Sequence, residues 1–251
     1  MARFLKKKEG TIGKVPGDLI FIGDQKVAEA TIRVIDYDQE QLSDQTLKDI
    51  KDGLTYKETA TVTWINVNGL HDTKLIRELG EGFGLHALVL EDIVNTGERP
   101  RMEEYDNYLF FVLKMMRFDD KTGKVQSEQL SMILGKTFVL TFQEQPGDVF
   151  EPVRERIRKQ KGRIRKVGID YLAYALLDTI VDNYLFIIER MGERIEEIED
   201  RILDNPSQEV LASINNYKRE MNYLRKTIRL LDSLIRVTLV HLLEIGRGKY
   251  V

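Results

Sequence analysis

The chain has no cysteine, which excludes disulfides, thiolate metal sites and cysteine nucleophiles and is consistent with a reducing compartment. Histidine is scarce: His71, His86 and His241 are far apart, form no HxxxH pair, and read as core or surface residues. Long hydrophobic runs are also missing. The longest, such as 108–113, fall far short of the ~20 residues a membrane helix needs, so the chain as given is not expected to cross a bilayer. The basic first residues are followed by no apolar segment of the secretory kind. Charge of one sign is lacking too: a net −3 over 251 residues argues against bulk attraction to nucleic acid. Gly80, Gly82 and Gly84 fail the phosphate-loop spacing at Leu85, and no Lys-Ser/Thr follows. No Ser/His/Asp or paired-carboxylate arrangement for hydrolysis can be placed, so the chain is not read as an enzyme.

What is present is dominated by residues 170–204, which contain no proline and one glycine, Gly192. Tyr174, Leu177, Val181, Tyr184, Ile188, Met191, Ile195, Ile198 and Ile202 recur at helical spacing. The spacing predicts one helix, a rod of roughly 50 Å. Almost opposite lies a second stripe, in which Asp178, Asp182, Glu189, Glu193, Glu196 and Asp200 fall within about 60° of one another. Crowded carboxylates repel unless cations, basic side chains or water answer them.

In chain order, 1–16 reads as a flexible basic leader ending at Pro16. Strands are expected at 19–22, 31–35, 60–67, 107–118, 129–134 and 137–142, the last two as an antiparallel hairpin. A short amphipathic helix is expected within 39–52, a helix over 73–79 stopped at Gly80, and another over 84–95. Asp148 with Glu151 suggests a capping box for a helix over about 149–159. Asn205-Pro206 restarts the chain into a second long helix reaching about Ile245, with Leu211, Ile214, Tyr217, Met221, Leu224, Ile228, Leu231 and Leu234 on one stripe. The expected architecture is an α/β/α sandwich, of the α+β or α/β class, with a mixed sheet over 17–166. A long antiparallel helical hairpin and the start of a stalk helix over 167–251 follow. Such a hairpin projects beyond a compact domain, which favours oligomerisation.

Between 189 and 200 the acidic stripe has Arg190, Arg194 and Arg201 at pairing distance, and a solvated, salt-bridged face is the plain reading. No Lys or Arg lies between Asp170 and Glu189. There Asp178 and Asp182 sit among apolar neighbours and call for protonation, a distant base or a metal. Glu91 and Asp92 near the end of 84–95 oppose the helix dipole. Oxygen-only ligands favour Mg²⁺ or Ca²⁺ over Zn²⁺. The run 154–166 holds eight basic residues. It suits RNA or anionic lipid, but Glu155 interrupts it and no aromatics interleave.

The segments TWINVNGLHD (63–72), HALVLEDIVN (86–95), RPRMEEYDNYLFFVLKMM (99–116), LTFQEQPGDVFEPVRERIR (140–158) and DYLAYALLDTIVDNY (170–184) occur in this order. Together they resemble the cytoplasmic domain of CorA-type magnesium transporters. The resemblance implies a homopentamer around one pore, at the cytoplasmic face of the cell membrane, with regulatory Mg²⁺ (or Ca²⁺, Co²⁺ or another divalent cation) between neighbouring cytoplasmic domains. By motif, Asp92 matches the inter-subunit carboxylate. Glu91 and Asp178 match a neighbouring second site, with Asp182 a further candidate. The family's two membrane helices and the Gly-Met-Asn signature between them do not occur here, and its stalk aspartate is expected just past Val251. The chain is therefore expected to be a soluble piece cut before the membrane. The leading expectation is a Mg²⁺-sensing regulatory domain of a divalent-cation channel or transporter, with no nucleic-acid partner. The alternatives are a soluble interaction module binding a partner helix, anionic lipid or RNA, and the equivalent domain of a Zn²⁺ transporter of the same family.

Overall fold

A computed structural model describes residues 18–204 and 207–248, with side chains through residue 229 apart from 201, 203, 204 and 209. The basic leader, the Asn205-Pro206 restart, and the side chains of Leu231, Leu234 and His241 lie outside the described residues. Alternating apolar residues build one seven-stranded sheet. Its strands are β1 (Thr31–Tyr37), β2 (Leu42–Leu47), β3 (Val62–Asn68), β4 (Arg101–Tyr105), β5 (Tyr108–Asp119), β6 (Lys124–Leu134) and β7 (Phe138–Gln143). Their order is β2-β1-β3-β7-β6-β5-β4, antiparallel except where β3 runs parallel to β7.

Because strand side chains alternate between faces, the sheet supports two separate cores. Ile65, Val67, Phe110, Val112 and Leu140 face α1 (Ile50–Leu54), α2 (Thr73–Phe83) and α3 (Ala87–Val94), which supply Ile76, Leu79, Val89 and Ile93. Trp64, Phe111, Leu113, Met132 and Val139 face the opposite layer. That layer comprises α4 (Glu151–Arg158), α5 (Ile169–Asp204) and α6 (Gln208–Gly248). The mixed-sheet α/β/α architecture expected from the sequence is therefore present, with the two long helices themselves forming most of its second helical layer.

The departures have local causes. The helix expected within 39–52 does not form before Ile50, where α1 begins. Both Glu40 and Gln41 donate their N–H groups to Asp38 Oδ1 at 2.7 Å, and the turn folds 42–47 back onto β1 as an edge strand. Over 19–22 only Ile22 pairs, through a bridge to Asn95. β4 was not foreseen. Helix α2 runs through Gly80 to end at Gly84, whose φ of +73° makes it the stop. Gly80 serves packing instead: a Cβ there would meet Leu90 Cδ2 of α3 at 2.2 Å. The capping box at Asp148 does not form. Its carboxylate accepts from the Phe150 N–H at 2.9 Å and takes the buried Arg154 at 2.7 and 2.5 Å, while Arg154 lies 4.8 Å over the Trp64 ring. Burial would raise the Asp148 carboxyl, but Arg154 holds it below the usual range. Helix α6 passes through Gly246 rather than stopping there.

The first half of α5 is apolar on most sides, and its buried face only partly coincides with the expected stripe. Leu177, Tyr184, Met191 and Ile198 of that stripe are buried, joined by Leu172, Leu176, Ile180 and Ile187, while Tyr174, Ile188 and Ile202 are exposed. On α6, Leu224 is buried, whereas Leu211 and Met221 are exposed. Ile169–Asp200 is long and apolar enough, by length and composition only, to cross a membrane, although charged residues interrupt its apolar runs. In this fold its inner face instead completes the sandwich.

Candidate metal centre

Asp92 sits in the last turn of α3, held there by packing of Val89, Leu90 and Ile93 on the sheet. Beside it, edge strand β4 alternates Arg101, Glu103 and Tyr105 on one face. The Arg101 guanidinium divides itself among three carboxylates. Nη2 donates to Asp92 Oδ2 at 2.5 Å, Nε to Glu103 Oε1 at 2.7 Å and Nη1 to Glu98 Oε2 at 3.2 Å. Burial pushes the Asp92 carboxyl up, against the opposing pull of Arg101, and the Glu98 charge adds to the rise. Fully buried Gln129 supports this corner from β6. Its Nε2 donates to the Asp92 carbonyl at 2.9 Å, and its Oε1 accepts from the Glu98 N–H at 3.1 Å and from Lys114 Nζ at 3.4 Å. Glu91 is half-buried beside Asp92 on the same turn.

Asp178 and Asp182 lie one turn apart on α5. They line a shallow depression of about 310 Å³ with Val153, Arg156, Asn183 and Phe186. Tyr174 donates its hydroxyl to Asp178 Oδ1 at 3.4 Å, and the Asp178 charge pushes that phenol up. Among the described residues neither aspartate makes an ion pair, and Arg156 turns its Nη2 to the Tyr171 hydroxyl at 3.0 Å. The one base lining the depression, Arg156, is thus turned to a phenol rather than to either carboxylate. Farther along, Arg190 pairs with Glu193 and Asp120 at 2.5 and 2.6 Å, and Arg194 with Glu197 at 2.6 Å. That half of the stripe is the solvated, salt-bridged face its spacing implied.

The structure therefore brings Glu91 next to Asp92, and Asp178 next to Asp182, but it does not bring the two pairs together. Helix α3 covers one face of the sheet and α5 the other. No group of three or more His, Asp or Glu residues suited to a metal occurs among the described residues. Within one chain each pair offers at most half of an all-oxygen cation site.

Three of the eight basic residues of 154–166 are engaged by partners on other elements or beside the helix: Arg154 by Asp148, Arg158 by Asp44 and Glu151, Arg165 by the carbonyls of Asp38 and Gln41. Lys161, Arg163 and Lys166 are exposed. Sequence reasoning missed Arg101, Glu103 and Gln129. The period-two alternation of Arg101, Glu103 and Tyr105 against Met102 and Glu104 is the signal that marks β4.

A family model described as "CorA-like Mg2+ transporter protein" matches residues 59–245. The cobalt/magnesium transport protein CorA of Thermotoga maritima is 41% identical over 223 residues, covering 89% of this chain and 63% of that protein. A putative metal ion transporter of Bacillus subtilis is 27% identical, covering 66% of this chain and 50% of its own length. The chain thus spans about half to two thirds of the length of these relatives. Among solved structures, the soluble domain of CorA from Methanocaldococcus jannaschii superposes with a TM-score of 0.64 at 20% identity, covering 82% of this chain and 78% of that one. The ZntB cytoplasmic domain from Vibrio parahaemolyticus gives 0.52 at 12% identity, covering 87% and 98%. These structural likenesses concern the fold, whereas the family model and the Thermotoga relative bear on descent: the chain belongs to the CorA-like Mg²⁺ transporter family.

Proposed function

We propose that this chain is the cytoplasmic regulatory domain of a divalent-cation transporter, and that it senses Mg²⁺ through carboxylates shared between adjacent copies of a homopentamer. The observation that carries the proposal is the placement of the two acidic pairs on opposite layers. With a sheet between α3 and α5, one chain cannot bring Asp92 and Asp178 to the same ion. Two neighbouring copies, the α3 side of one against the α5 side of the next, can. A bound dication would offset the repulsion between the facing carboxylates and hold the copies together. Differential affinity for the assembled arrangement then supplies the switch. In this scheme the sandwich of 17–166 carries one half of the site, and 167–251 carries the other half and the connection toward the membrane part of the protein. The oxygen-only donors favour Mg²⁺ and similar hard cations over Zn²⁺.

The test is a Mg²⁺ titration followed by thermal unfolding and sedimentation, on wild type and on Asp92→Asn and Asp178→Asn. Wild type should gain about 2.7 kcal/mol at a hundredfold excess over Kd and should associate as it does so. Each variant should lose most of both responses. Equal stabilisation of all three proteins would remove these residues from the site.

A further inference from the structure

The corner around Asp92 contains a cation of its own. Arg101 is only 28% exposed and rests 5.9 Å over the Phe110 ring. Two of its three carboxylate partners are themselves held in place. Glu98 accepts from Asn95 Nδ2, and Glu103 accepts from the Tyr105 hydroxyl at 3.0 Å. Asp92 lies on a different element, the last turn of α3. The guanidinium thus has two anchors on and beside β4, and it extends its remaining Nη2 to Asp92. We propose that Arg101 is a tethered counter-cation that competes with the divalent ion for Asp92, and so sets the concentration at which that ion binds.

The chemistry follows from the geometry. Nη2 donates to Asp92 Oδ2 at 2.5 Å, a charge-assisted hydrogen bond that occupies one of the two oxygens a hard cation would use. A dication arriving there loses a ligand oxygen to Arg101 and meets a fixed positive charge a few ångströms away. When Asp92 turns to the ion, Arg101 keeps Glu98 and Glu103 and remains seated, so no buried charge is stranded. In the metal-free chain the same contact screens Asp92 from the two glutamates. One side chain thereby stabilises the empty state and raises the ion concentration needed to leave it.

This inference rests on the sensing function proposed above, and the experiment separates the two. Arg101→Gln, Arg101→Lys and Asp92→Asn are compared with wild type by Mg²⁺ titration, reading binding heat and melting temperature. Arg101→Gln should lower the half-maximal Mg²⁺ concentration by roughly tenfold and lower the melting temperature without Mg²⁺. Arg101→Lys keeps a charge but cannot fork to three carboxylates, and should fall between. It also carries the test if the glutamine variant fails to fold. If wild type and Asp92→Asn respond alike to Mg²⁺, the sensing function fails and the competition with it. If Asp92 governs the response but removing Arg101 leaves the half-maximal concentration unchanged or raises it, competition alone is refuted, and Arg101 is a scaffold for the site.

Discussion

Glu128 of β6 offers a sharp test of how this fold treats buried charge. Its side chain is 4% exposed, and Arg117 Nη2 donates to Oε1 at 2.9 Å. Oε2 has no hydrogen-bond partner among the described residues. Facing it are Arg117 on β5, Lys26 before β1, Glu144 after β7 and Asp148 before α4. Burial pushes its carboxyl from an ordinary 4.5 up to about 7, against the opposing pull of Arg117 and Lys26. At about 1.4 kcal/mol per tenfold change, ionising Glu128 inside the fold costs about 3 kcal/mol more than in the unfolded chain. The folded state then binds the proton more tightly, so stability falls as pH rises between these two values, and the full cost applies above about pH 7. Glu128→Gln imitates the protonated acid and removes this dependence. Urea melts of both proteins from about pH 5 to about pH 8 should show the variant gaining relative to wild type by about 2.5 kcal/mol across the range, the remainder of the cost falling below about pH 5. Groups common to both proteins cancel in that difference. A constant difference, or a variant that loses ground as pH rises, would show that Arg117 and Lys26 fully compensate the burial.

Two further substitutions probe the layer that carries Asp178. Leu176→Ala removes a fully buried side chain from the inner face of α5 and should cost about 2–5 kcal/mol; Leu185→Ala on the exposed face should stay within about 0.5 kcal/mol. Equal costs in denaturant melts would contradict the orientation of α5. Asp148→Asn takes from the buried Arg154 the carboxylate that holds both its Nη atoms, leaving only the longer, exposed contact to Glu151 at 3.4 Å, and should cost about 3 kcal/mol. Asp44→Asn, at the more exposed pairs with Arg33 and Arg158, should cost about 0–1 kcal/mol.

The elements legible in the sequence were those whose pattern is settled by their own residues. β5 is a continuous apolar run because both of its faces are covered, and the long helix over 170–204 was legible to within one residue at its start. Patterns settled by a neighbour were not legible. Residues 42–47 become a strand because β1 offers an edge and Asp38 makes the turn. Gly80 continues a helix because Leu90 needs the space of its missing Cβ. The buried face of α5 was legible only in part, at Leu177, Tyr184, Met191 and Ile198, because apolar residues encircle its first half and the sheet decides which of them turn inward. The candidate site divides in the same way. Asp178 and Asp182 stood out because no base lies near them in the sequence, and in space Arg156 reaches their depression without pairing to either. Asp92 stood out by opposing its helix dipole, and its partner Arg101 arrives from β4, a pairing across strand and helix that is invisible to spacing along one helix.

The difference between the two acidic pairs bears on how sensing would work. A hard cation needs six or more oxygen ligands, some of them water, and neither pair alone supplies many. The α5 half presents aspartates with only Tyr174 as a direct partner and is unfavourable when another acidic surface approaches. The α3 half already contains a positive charge, and its Asp92 is partly removed from water. Two copies meeting without metal would therefore bring Arg101 toward the neighbour's Asp178 side as a weak substitute for the ion. A dication that displaces it would bind the assembled pair better than the separate chains. By linkage, whatever factor assembly contributes to metal affinity, metal contributes to assembly. Arg101, by standing in for the ion in the metal-free assembly, would keep that factor modest, which is what a site that must empty when the ion becomes scarce requires.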